Sequence, residues 1–401
     1  MSVFARALAV LTLVGGACTQ PSPVVTDIDA EDLRAAALSQ SDLGGAYSSF
    51  QFDSVFGGFE TNEERARDKS DRPNEERQAL ERSGRLAAYQ SMYVPRDQSA
   101  AIVRIFTLVG VFRDATGASD YFSSVAMSSS STAFDVSGLG DQAKAWRERA
   151  NVGPQIGIRT RAVVRRGRLL GTVGINRRDE LDVNAEVAEL ARKLDERLRR
   201  AASGELRVYQ GARGTEIGAE RLQSMALPLP ELGPAYSGFV EDLFLSAFQD
   251  NEERAGNVLT FDSADELQEF ERRGRVTGYF EAFAAPDGRT PVSTGAHLFR
   301  DDAGAKEFLA RFAERCKRLA GGTIGPQRIE SVNDVAAPTL GDGAVAVALA
   351  IPGAHRVTVL VRRGRVVGET VVVRTDDAQA RAEALDLARK LDARTTSALK
   401  R

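Results

Sequence analysis

Cysteine and histidine are both scarce in this sequence of 401 residues, which contains two of each. Neither His297 nor His355 has a cysteine, a glutamate or a second histidine at metal-ligand spacing, so we expect no zinc or other transition-metal site. We also expect no cofactor, because no P-loop and no G-x-G-x-x-G stretch follows a predicted strand. Cys316 shares a helical face with Phe308 and Phe312, which predicts a buried thiol and not a nucleophile.

The motifs of common hydrolases are missing as well. The sequence has no G-x-S-x-G elbow and no H-E-x-x-H pair, and we therefore predict that the protein is not an enzyme. A Ser-His-Asp site that uses His297 or His355 stays open, because such triads are defined by geometry and not by sequence order. Adjacent acids, such as Asp301 and Asp302, stand where helices are expected to begin, and we interpret them as helix caps.

An excess of charge of either sign is also absent. Lysine and arginine total 53, aspartate and glutamate total 56, and the formal net charge is -3. This balance gives no indication of the basic surface that a nucleic-acid partner requires. Hydrophobic residues make up 43% of the chain and charged residues 27%, which is typical of folded proteins. The length predicts two domains.

The N-terminal residues have the pattern of an export signal. Residues 1–17 contain Arg6, an apolar stretch at 7–14 and then small residues before Cys18. The stretch VGGAC resembles the lipobox of bacterial lipoproteins, in which the cysteine is acylated and becomes the mature N-terminus. The resemblance implies cleavage after Ala17, lipid attachment at Cys18 and anchoring to the extracytoplasmic face of the cell membrane.

An ordinary secretory signal, cleaved near Ala17 and leaving Cys18 as a thiol, is the alternative to this interpretation. In both cases residues 1–17 are a signal peptide. In the lipoprotein case residues 18–30 form a lipidated tether, and membrane lipid is a partner through acylated Cys18. Cys316 then has no second cysteine with which to form a disulfide.

The rest of the chain consists of two copies of one unit. Residues 31–50 align with residues 220–239, a spacing of 189 residues, and NEERA recurs in both copies at the same spacing. ERSGRLAAY, FRDATGASDYF, GLGDQAKAW and VVRRGRLLG each find a counterpart in the same order. We therefore predict a first unit at 31–203, a linker at 204–217 and a second unit at 218–401.

Both copies predict the same helices and strands. A short helix and two apolar strands open each unit, and Asp114 can cap the helix that follows. Residues 156–164 alternate apolar and basic side chains, the period of a half-buried strand. Gly167 and Gly364 lie in RRG stretches between apolar strands, which predicts hairpin turns. Each unit is expected to be an α+β domain with a mostly antiparallel sheet of about four to six strands packed with helices.

The stretch LARKLD occurs at 190–195 and again at 387–392. In the first copy Val187, Leu190 and Leu194 recur at helical spacing, which predicts a closing helix whose apolar stripe covers the sheet. We therefore interpret LARKLD as a packing element and not as a catalytic motif.

The order of these elements resembles that of PsbP-like αβα sandwiches and of the extracytoplasmic sensor domains of bacterial serine/threonine kinases. The resemblance is carried by the opening helix with its turn at Leu43 and Gly44, the turn at Gly140 and Asp141, the RRG hairpin and the final helix. It implies a non-enzymatic binding or sensing module outside the cytoplasm.

The two copies differ most between the middle helix and the Gly-Asp turn. The spacing between the copies rises there from 187 to 201 residues, so the second unit has 14 additional residues. We expect this extra segment, residues 320–337, to add a strand near 327–332 or a long surface loop, unless the first unit has lost an edge strand. We expect a ligand site in the second unit or at the contact between the units.

Each RRG hairpin gathers three arginines, which could bind anions. Because guanidinium groups bind phosphate and carboxylate well, the hairpin tips are candidate contacts for anionic lipid headgroups or envelope polymers. The alternative is that these charges keep an exposed hairpin soluble. The six candidate residues are Arg165, Arg166, Arg168, Arg362, Arg363 and Arg365.

Three functions are compatible with the sequence. The first is a membrane-anchored extracytoplasmic lipoprotein that binds a small ligand or an envelope protein without catalysis. The second is an envelope hydrolase with one active repeat, and the third is a structural envelope spacer. A histidine within hydrogen-bonding reach of both a serine and a carboxylate would favour the hydrolase, and an open groove beside the extra segment at 320–337 would favour the binding module. A dry interior without features in both units would favour the spacer.

Overall fold

The computed structural model describes residues 28–53, 56–69, 73–97, 99–152, 155–208, 215–242, 245–257, 263–286, 291–324 and 327–400. In the first unit the helices are α1 (Ala30–Ala36), α2 (Gln40–Leu43), α3 (Asn62–Lys69), α4 (Pro73–Arg82), α5 (Ala115–Ser124) and α6 (Asn184–Ser203). The strands are β1 (Phe50–Phe52), β2 (Gly58–Glu60), β3 (Arg85–Pro95), β4 (Ile102–Phe112), β5 (Thr132–Ala133), β6 (Gln142–Val152), β7 (Gln155–Arg166) and β8 (Leu169–Arg177).

The second unit repeats this order. Its helices are α7 (Ala219–Gln223), α8 (Leu229–Leu232), α9 (Asn251–Asn257), α10 (Ser263–Arg272), α11 (Asp302–Lys317) and α12 (Asp377–Leu399). Its strands are β9 (Val240–Glu241), β10 (Ala247–Gln249), β11 (Arg275–Ala284), β12 (Val292–Phe299), β13 (Thr323–Ile324), β14 (Gln327–Arg328), β15 (Ser331–Val335), β16 (Gly343–Ile351), β17 (Ala354–Arg363) and β18 (Val366–Arg374). A short 3-10 helix follows the second helix of each unit, at Gly45–Tyr47 and Pro234–Tyr236.

Each unit builds its own antiparallel sheet of eight strands. The first sheet has the order β1-β3-β4-β8-β7-β6-β5, with β2 also paired to β3. The second has the order β10-β11-β12-β18-β17-β16-β15, with β9 also paired to β11. The predicted α+β class with an antiparallel sheet in each copy is confirmed. The number of strands exceeds the expected four to six because three short strands join five long ones at the edges of each sheet.

Helices cover both faces of each sheet. Helix α6 packs against β7 and β8 on one face, and α5 packs against β4, β7 and β8 on the other. In the second unit α12 and α11 take these two places. The predicted stripe of α6 is confirmed, because Val187, Leu190, Leu194 and Leu198 are all buried.

LARKLD also makes polar contacts that its apolar pattern did not predict. Its final aspartate is Asp195 in the first copy, and both carboxylate oxygens accept hydrogen bonds from Arg166 over 2.7 and 2.9 Å. Asp392 accepts from Arg363 in the same way, over 2.6 and 2.8 Å. The repeated stretch therefore packs the helix on the sheet and also ties it to the RRG hairpin.

The turns expected from the sequence are present. Gly167 and Gly364 have φ angles of 53° and 55°, a conformation that residues with a Cβ rarely adopt. The amide of Gly167 donates to the Asp141 carboxylate over 2.7 Å, so the Gly-Asp turn supports the hairpin. Asp114 caps α5 by accepting from Gly117 N over 2.8 Å, as predicted.

The two units share an apolar core at their boundary. The largest cluster of buried apolar side chains lies mainly in the first unit and extends to Leu222, Phe248 and Leu298 of the second. The equivalent residues Phe59 and Phe248 face each other, with ring centroids 5.7 Å apart. Contact between equivalent residues is what an approximate two-fold relation between the units would produce.

The folded region begins before residue 31 and includes part of the expected linker. Ile28, Asp29 and Ala30, the last residues of the expected tether, are buried. Ile217 in the expected linker is buried too, and its amide donates to Asp29 over 3.0 Å. These residues therefore belong to the joined cores and not to flexible connections.

The additional residues of the second unit are divided between α11 and the extra segment. Helix α11, which ends before that segment, has 16 residues, compared with 10 in α5. The extra segment forms the small β13-β14 hairpin and β15, an edge strand longer than β5, which pairs with β16. Both units keep an edge strand at this place, since β5 pairs with β6, so the first unit has not lost one. In the part of the chain that the structure describes, no helix combines the length and apolar character needed to cross a membrane.

Candidate functional site

The strand register shows which residues of the two units are equivalent. Thr172 of β8 is paired with Val163 of β7 in the first sheet. Glu369 of β18 is paired with Leu360 of β17 in the second sheet. Thr172 and Glu369 therefore hold the same place, on the sheet faces next to α5 and α11.

The second unit has a buried ionic cluster on this face, consisting of Arg254, Glu266, Arg275, His297, Arg315, Arg356 and Glu369. His297 Nε2 lies 2.7 Å from Glu369 Oε2, and Arg275 Nε donates to His297 Nδ1 over 2.8 Å. Because Nδ1 accepts, Nε2 holds the proton and donates it to Glu369. Burial lowers the pKa of His297 to about 4 in spite of the bond to Glu369, so the ring is neutral near pH 7.

Glu369 is the central acid of the buried ionic cluster. Arg254 Nη2 donates to Glu369 Oε1 over 2.6 Å, and its guanidinium lies 4.0 Å above the ring of Phe280. Burial by itself would raise the pKa of Glu369, but Arg254, His297 and Arg356 hold it far below its usual range. The carboxylate is therefore ionised and bonded within the protein.

Helix α11 closes this face of the second unit. A cavity of about 20 Å³ lies beside the cluster and is lined by Phe308, Phe312 and Cys316. A space of that size holds about one water molecule. The predicted buried thiol is confirmed, since Cys316 is buried and burial raises its pKa to about 12. The second unit has thus filled this site with its own side chains.

The corresponding face of the first unit is an open cleft of about 760 Å³. It is open because α5 ends at Ser124, whereas α11 continues over the equivalent strands of the second unit. We call it the first-unit cleft and define it by Arg65, Phe106, Leu108, Arg161, Val163 and Thr172, which all line it. The sequence predicted a ligand site in the second unit or at the contact between the units, whereas this cleft lies in the first unit.

Two arginines bring positive charge into the first-unit cleft. Arg161 stacks 4.2 Å from the ring centroid of Trp146 and pairs with Glu148 over 3.1 Å. Arg65 enters from α3 and lies 3.8 Å from Glu60. Trp146 is fully buried, as a core aromatic is expected to be, and it serves as the platform that orients Arg161.

Further positive charge lies in the next row of the sheet. Arg104, Asn176 and Arg159 are paired across β4, β8 and β7. Among the described residues, neither Arg104 nor Arg159 has a salt-bridge partner. Burial lowers the pKa of Arg159, and the charges of Arg104 and Arg65 add to this effect against the opposing influence of Glu148. A negative charge added at this end of the sheet would be stabilised by these arginines.

The hairpin arginines predicted as anion contacts are already bonded within the protein. Arg166 and Arg363 make the paired hydrogen bonds to the closing helices described above. Arg165 pairs with Asp141 over 3.0 Å, and Arg362 lies 3.7 Å from the equivalent Asp342. An incoming anion would compete with these carboxylates.

Arg168 and Arg365 differ although they are equivalent. Arg168 is partly buried in the hairpin turn, and its carbonyl accepts from Phe112 N over 2.9 Å. Arg365 is 5% exposed and donates to Asp29, which is fully buried. Arg365 therefore links the second unit to the start of α1, and anion contact by the six hairpin arginines stays a prediction.

A smaller cavity of about 470 Å³ lies at the contact between the units. Phe59 and Tyr89 line it from the first unit, and Asp250 and Val276 from the second. This cavity lies where the sequence predicted a ligand site at the contact between the units. The first-unit cleft is larger and is lined by Arg65 and Arg161.

Neither histidine has the surroundings of a catalytic triad in the described residues. His297 is bonded to Arg275 and Glu369, and no serine lines its cavity. His355 Nδ1 lies 3.7 Å from Asp377. Within the ranges that the structure covers, no three histidine, cysteine, aspartate or glutamate side chains gather as metal ligands could. Cys18 and Ala17 lie outside the described residues, as does the rest of the expected signal peptide.

Of the residues that define the first-unit cleft, the sequence points only to Arg161, one of the basic side chains that alternate through residues 156–164. Arg65 lies in NEERA, which by itself indicates only the duplication. Thr172 follows the aligned VVRRGRLLG stretch directly, at the point where the second copy has Glu369. A comparison of polar residues position by position between the copies would have revealed this exchange.

The likeness of this chain to known proteins is structural and weak. No family model matches the chain, and no curated protein matches it in sequence. Among solved structures, the chain is similar to the extracellular domain of PknH from Mycobacterium tuberculosis. The two are 15% identical, the match covers 43% of this chain and 97% of that chain, and the TM-score is 0.30.

Proposed function

We propose that this protein is a non-catalytic binding or sensing module, held outside the cytoplasm by lipid on Cys18, whose ligand occupies the first-unit cleft. The observation that carries the proposal is the contrast between two equivalent faces. One encloses about 20 Å³ around bonded side chains, and the other leaves about 760 Å³ open beside Arg65 and Arg161. Ligand sites are typically concave, with apolar walls and a few polar groups.

The folded chain without its signal should show ligand-dependent stabilisation. Anything that binds the native state alone raises its melting temperature by mass action. A panel of metabolites and soluble envelope polymers is therefore expected to contain compounds that raise the melting temperature of the protein. A panel without any stabilising compound contradicts the proposal.

A substitution that fills the cleft tests whether the ligand binds there. Leu108→Trp adds volume at the cleft, where Leu108 lines the wall, and is expected to abolish the stabilisation. Leu181→Trp is the matched control, because Leu181 is 60% exposed and does not line the cleft. If both variants keep the full response, the ligand binds elsewhere.

The membrane anchor has its own test. Cys18→Ala is expected to release the protein from the membrane fraction, and Cys316→Ala, which changes the buried thiol, is expected to leave it anchored. Mass spectrometry of the mature N-terminus should find acyl chains on Cys18. An unacylated residue 18 would remove the anchor from the proposal and leave the cleft unaffected.

A further inference from the structure

We infer that the first-unit cleft binds a small carboxylate with an apolar body, and that the ligand's carboxylate takes the place that the Glu369 side chain fills in the second unit. The inference rests on the proposed function, since it names the ligand class of the same cleft. The second unit serves as the template, because its sheet keeps the same register with the acid supplied from within.

The first cation comes from the duplicated NEERA stretch. Arg65 and Arg254 are the same residue of the two copies, and Arg254 donates to Glu369 over 2.6 Å. Arg65 lies 3.8 Å from Glu60, whose carboxylate already accepts from a second arginine over 2.5 Å. The first unit has kept the arginine but has Thr172 in place of the acid. A ligand carboxylate would give Arg65 the close acidic partner that Arg254 has in Glu369.

The second cation is held ready by its neighbours. Arg161 is fixed between the ring of Trp146 and the carboxylate of Glu148. Its Nε is buried and has no hydrogen-bond partner in the described parts of the chain. Arg161 lines the cleft, and a planar guanidinium suits a carboxylate, which can accept two parallel hydrogen bonds. The position equivalent to Arg161 in the second unit is Thr358, so this cation is specific to the open cleft.

The walls of the cleft determine the rest of the ligand. Phe106, Leu108 and Val163 line it beside the arginines, and they would gain from contact with an apolar group. Glu75 and Glu76 line it from α4 together with Arg82, so this wall has an excess of one negative charge and would repel a second negative charge on the ligand. A single carboxylate on an apolar body fits both walls better than a phosphate or a dicarboxylate.

The test is calorimetric titration of the folded chain without its signal with sodium octanoate. Wild type is expected to bind octanoate. Thr172→Glu supplies the acid internally, as Glu369 does, and should weaken binding about tenfold or more. Thr172→Gln introduces a side chain of about the same size as glutamate but without its charge, and it should weaken octanoate binding much less. Equal binding by wild type and a folded Thr172→Glu variant would overturn the inference.

Other probes separate the inference from the proposed function. Octanol and octylamine, which lack the carboxylate, are expected to show no binding, and inorganic phosphate is expected to bind more weakly than octanoate. If phosphate binds as tightly as octanoate, the ligand does not need an apolar body and that part of the inference is refuted.

If Thr172→Glu fails to fold, Arg161→Gln should weaken octanoate binding by about tenfold, and unchanged binding would overturn the inference. Stabilisation by other panel compounds without octanoate binding would sink the inference and leave the proposed function standing.

Discussion

Thr172 and Glu369 occupy one position in the two sheets, Thr172 beside Leu108 and Glu369 beside Gly295. Around Glu369 the second unit has a neutral histidine, bonded arginines and a long covering helix. Around Thr172 the first unit has the open first-unit cleft. The exchange of threonine and glutamate and the difference in length between α5 and α11 thus separate a face completed within the protein from one that is left open to an acid from outside.

Replacing Glu369 should strongly destabilise the protein. Glu369→Gln removes the negative charge that Arg254 and Arg356 share in a buried site. Breaking a buried ion pair by removing one partner costs about 3 to 5 kcal/mol. Chemical denaturation at neutral pH should measure a loss of this order in the free energy of unfolding.

The matched control for this prediction is Thr172→Gln at the equivalent position. Thr172 lines an open cleft, so the change should cost less than about 1 kcal/mol. Equal losses in the two variants would show that Glu369 does not balance the arginines of the buried ionic cluster.

His297 should make the protein sensitive to mild acid. Burial lowers its pKa from 6.5 to about 4, with Glu369 opposing and Arg275 supporting the shift. The unfolded chain therefore binds the proton first, and stability falls as the pH decreases from about 6.5 towards 4. The loss is about 3 kcal/mol for this shift from 6.5 to about 4.

The variant His297→Gln isolates this contribution. Glutamine can still donate to Glu369 and accept from Arg275 but does not titrate. Unfolding should be measured for both proteins between pH 7 and pH 4. The stability of wild type should decrease relative to the variant over this range, and parallel pH profiles would contradict the assigned pKa shift.

Much of the fold could be predicted because duplication gives each pattern twice. The stripe of Leu190 and Leu194, the glycine turns at Gly167 and Gly364, and the Asp114 cap depend on local periodicity and backbone geometry. Such features are set by residues close in sequence. Each was visible in the sequence and is present in the structure.

The first-unit cleft could not be predicted because it depends on what covers the sheet. The longer α11 fills one face, and the end of α5 at Ser124 leaves the other open, although their sequences align closely at the start. The pairing of Arg254 with Glu369 joins residues 115 positions apart. Aligning the two copies shows Thr172 in place of Glu369, but it does not show that this position lies in an open cleft.

Glu64 and Glu253, the second glutamate of each NEERA stretch, should make stability fall as the pH rises from about 4.5 to about 8. Burial raises the pKa of Glu253 to about 8, and Asp250 and Glu64 add to the shift. A carboxyl group with a raised pKa in the folded state stabilises it fully below pH 4.5, its ordinary pKa, and that contribution is lost as the pH rises through about 8. Glu64, with a pKa raised to about 7 chiefly by burial, should behave in the same sense.

Glu253→Gln tests this dependence. Glutamine can still accept the hydrogen bond from Asp250 N, which Glu253 accepts over 3.0 Å, but it acquires no charge. Between pH 5 and pH 9 the variant should gain more than about 1 kcal/mol relative to wild type. Glu252→Gln is the control, because Glu252 is the exposed neighbour in the same stretch. A control that gains as much as Glu253→Gln would rule out the buried carboxyl as the cause.

Asp29 should be the most sensitive link between the two units. Its carboxylate is fully buried and accepts from Glu31 N over 3.1 Å, from Ile217 N over 3.0 Å and from Arg365. Asp29→Ala removes a helix cap and leaves the buried guanidinium without this acid, which should cost about 3 to 5 kcal/mol. Asp301→Ala removes a cap of the same chemistry at an exposed helix start and should cost about 1 kcal/mol. Thermal and chemical unfolding of both variants gives the comparison.

The same variant tests whether the two units unfold together. Because the apolar core continues across the boundary, Asp29→Ala should lower the midpoint of one unfolding transition shared by both units, and an unchanged second transition would show that the units unfold independently.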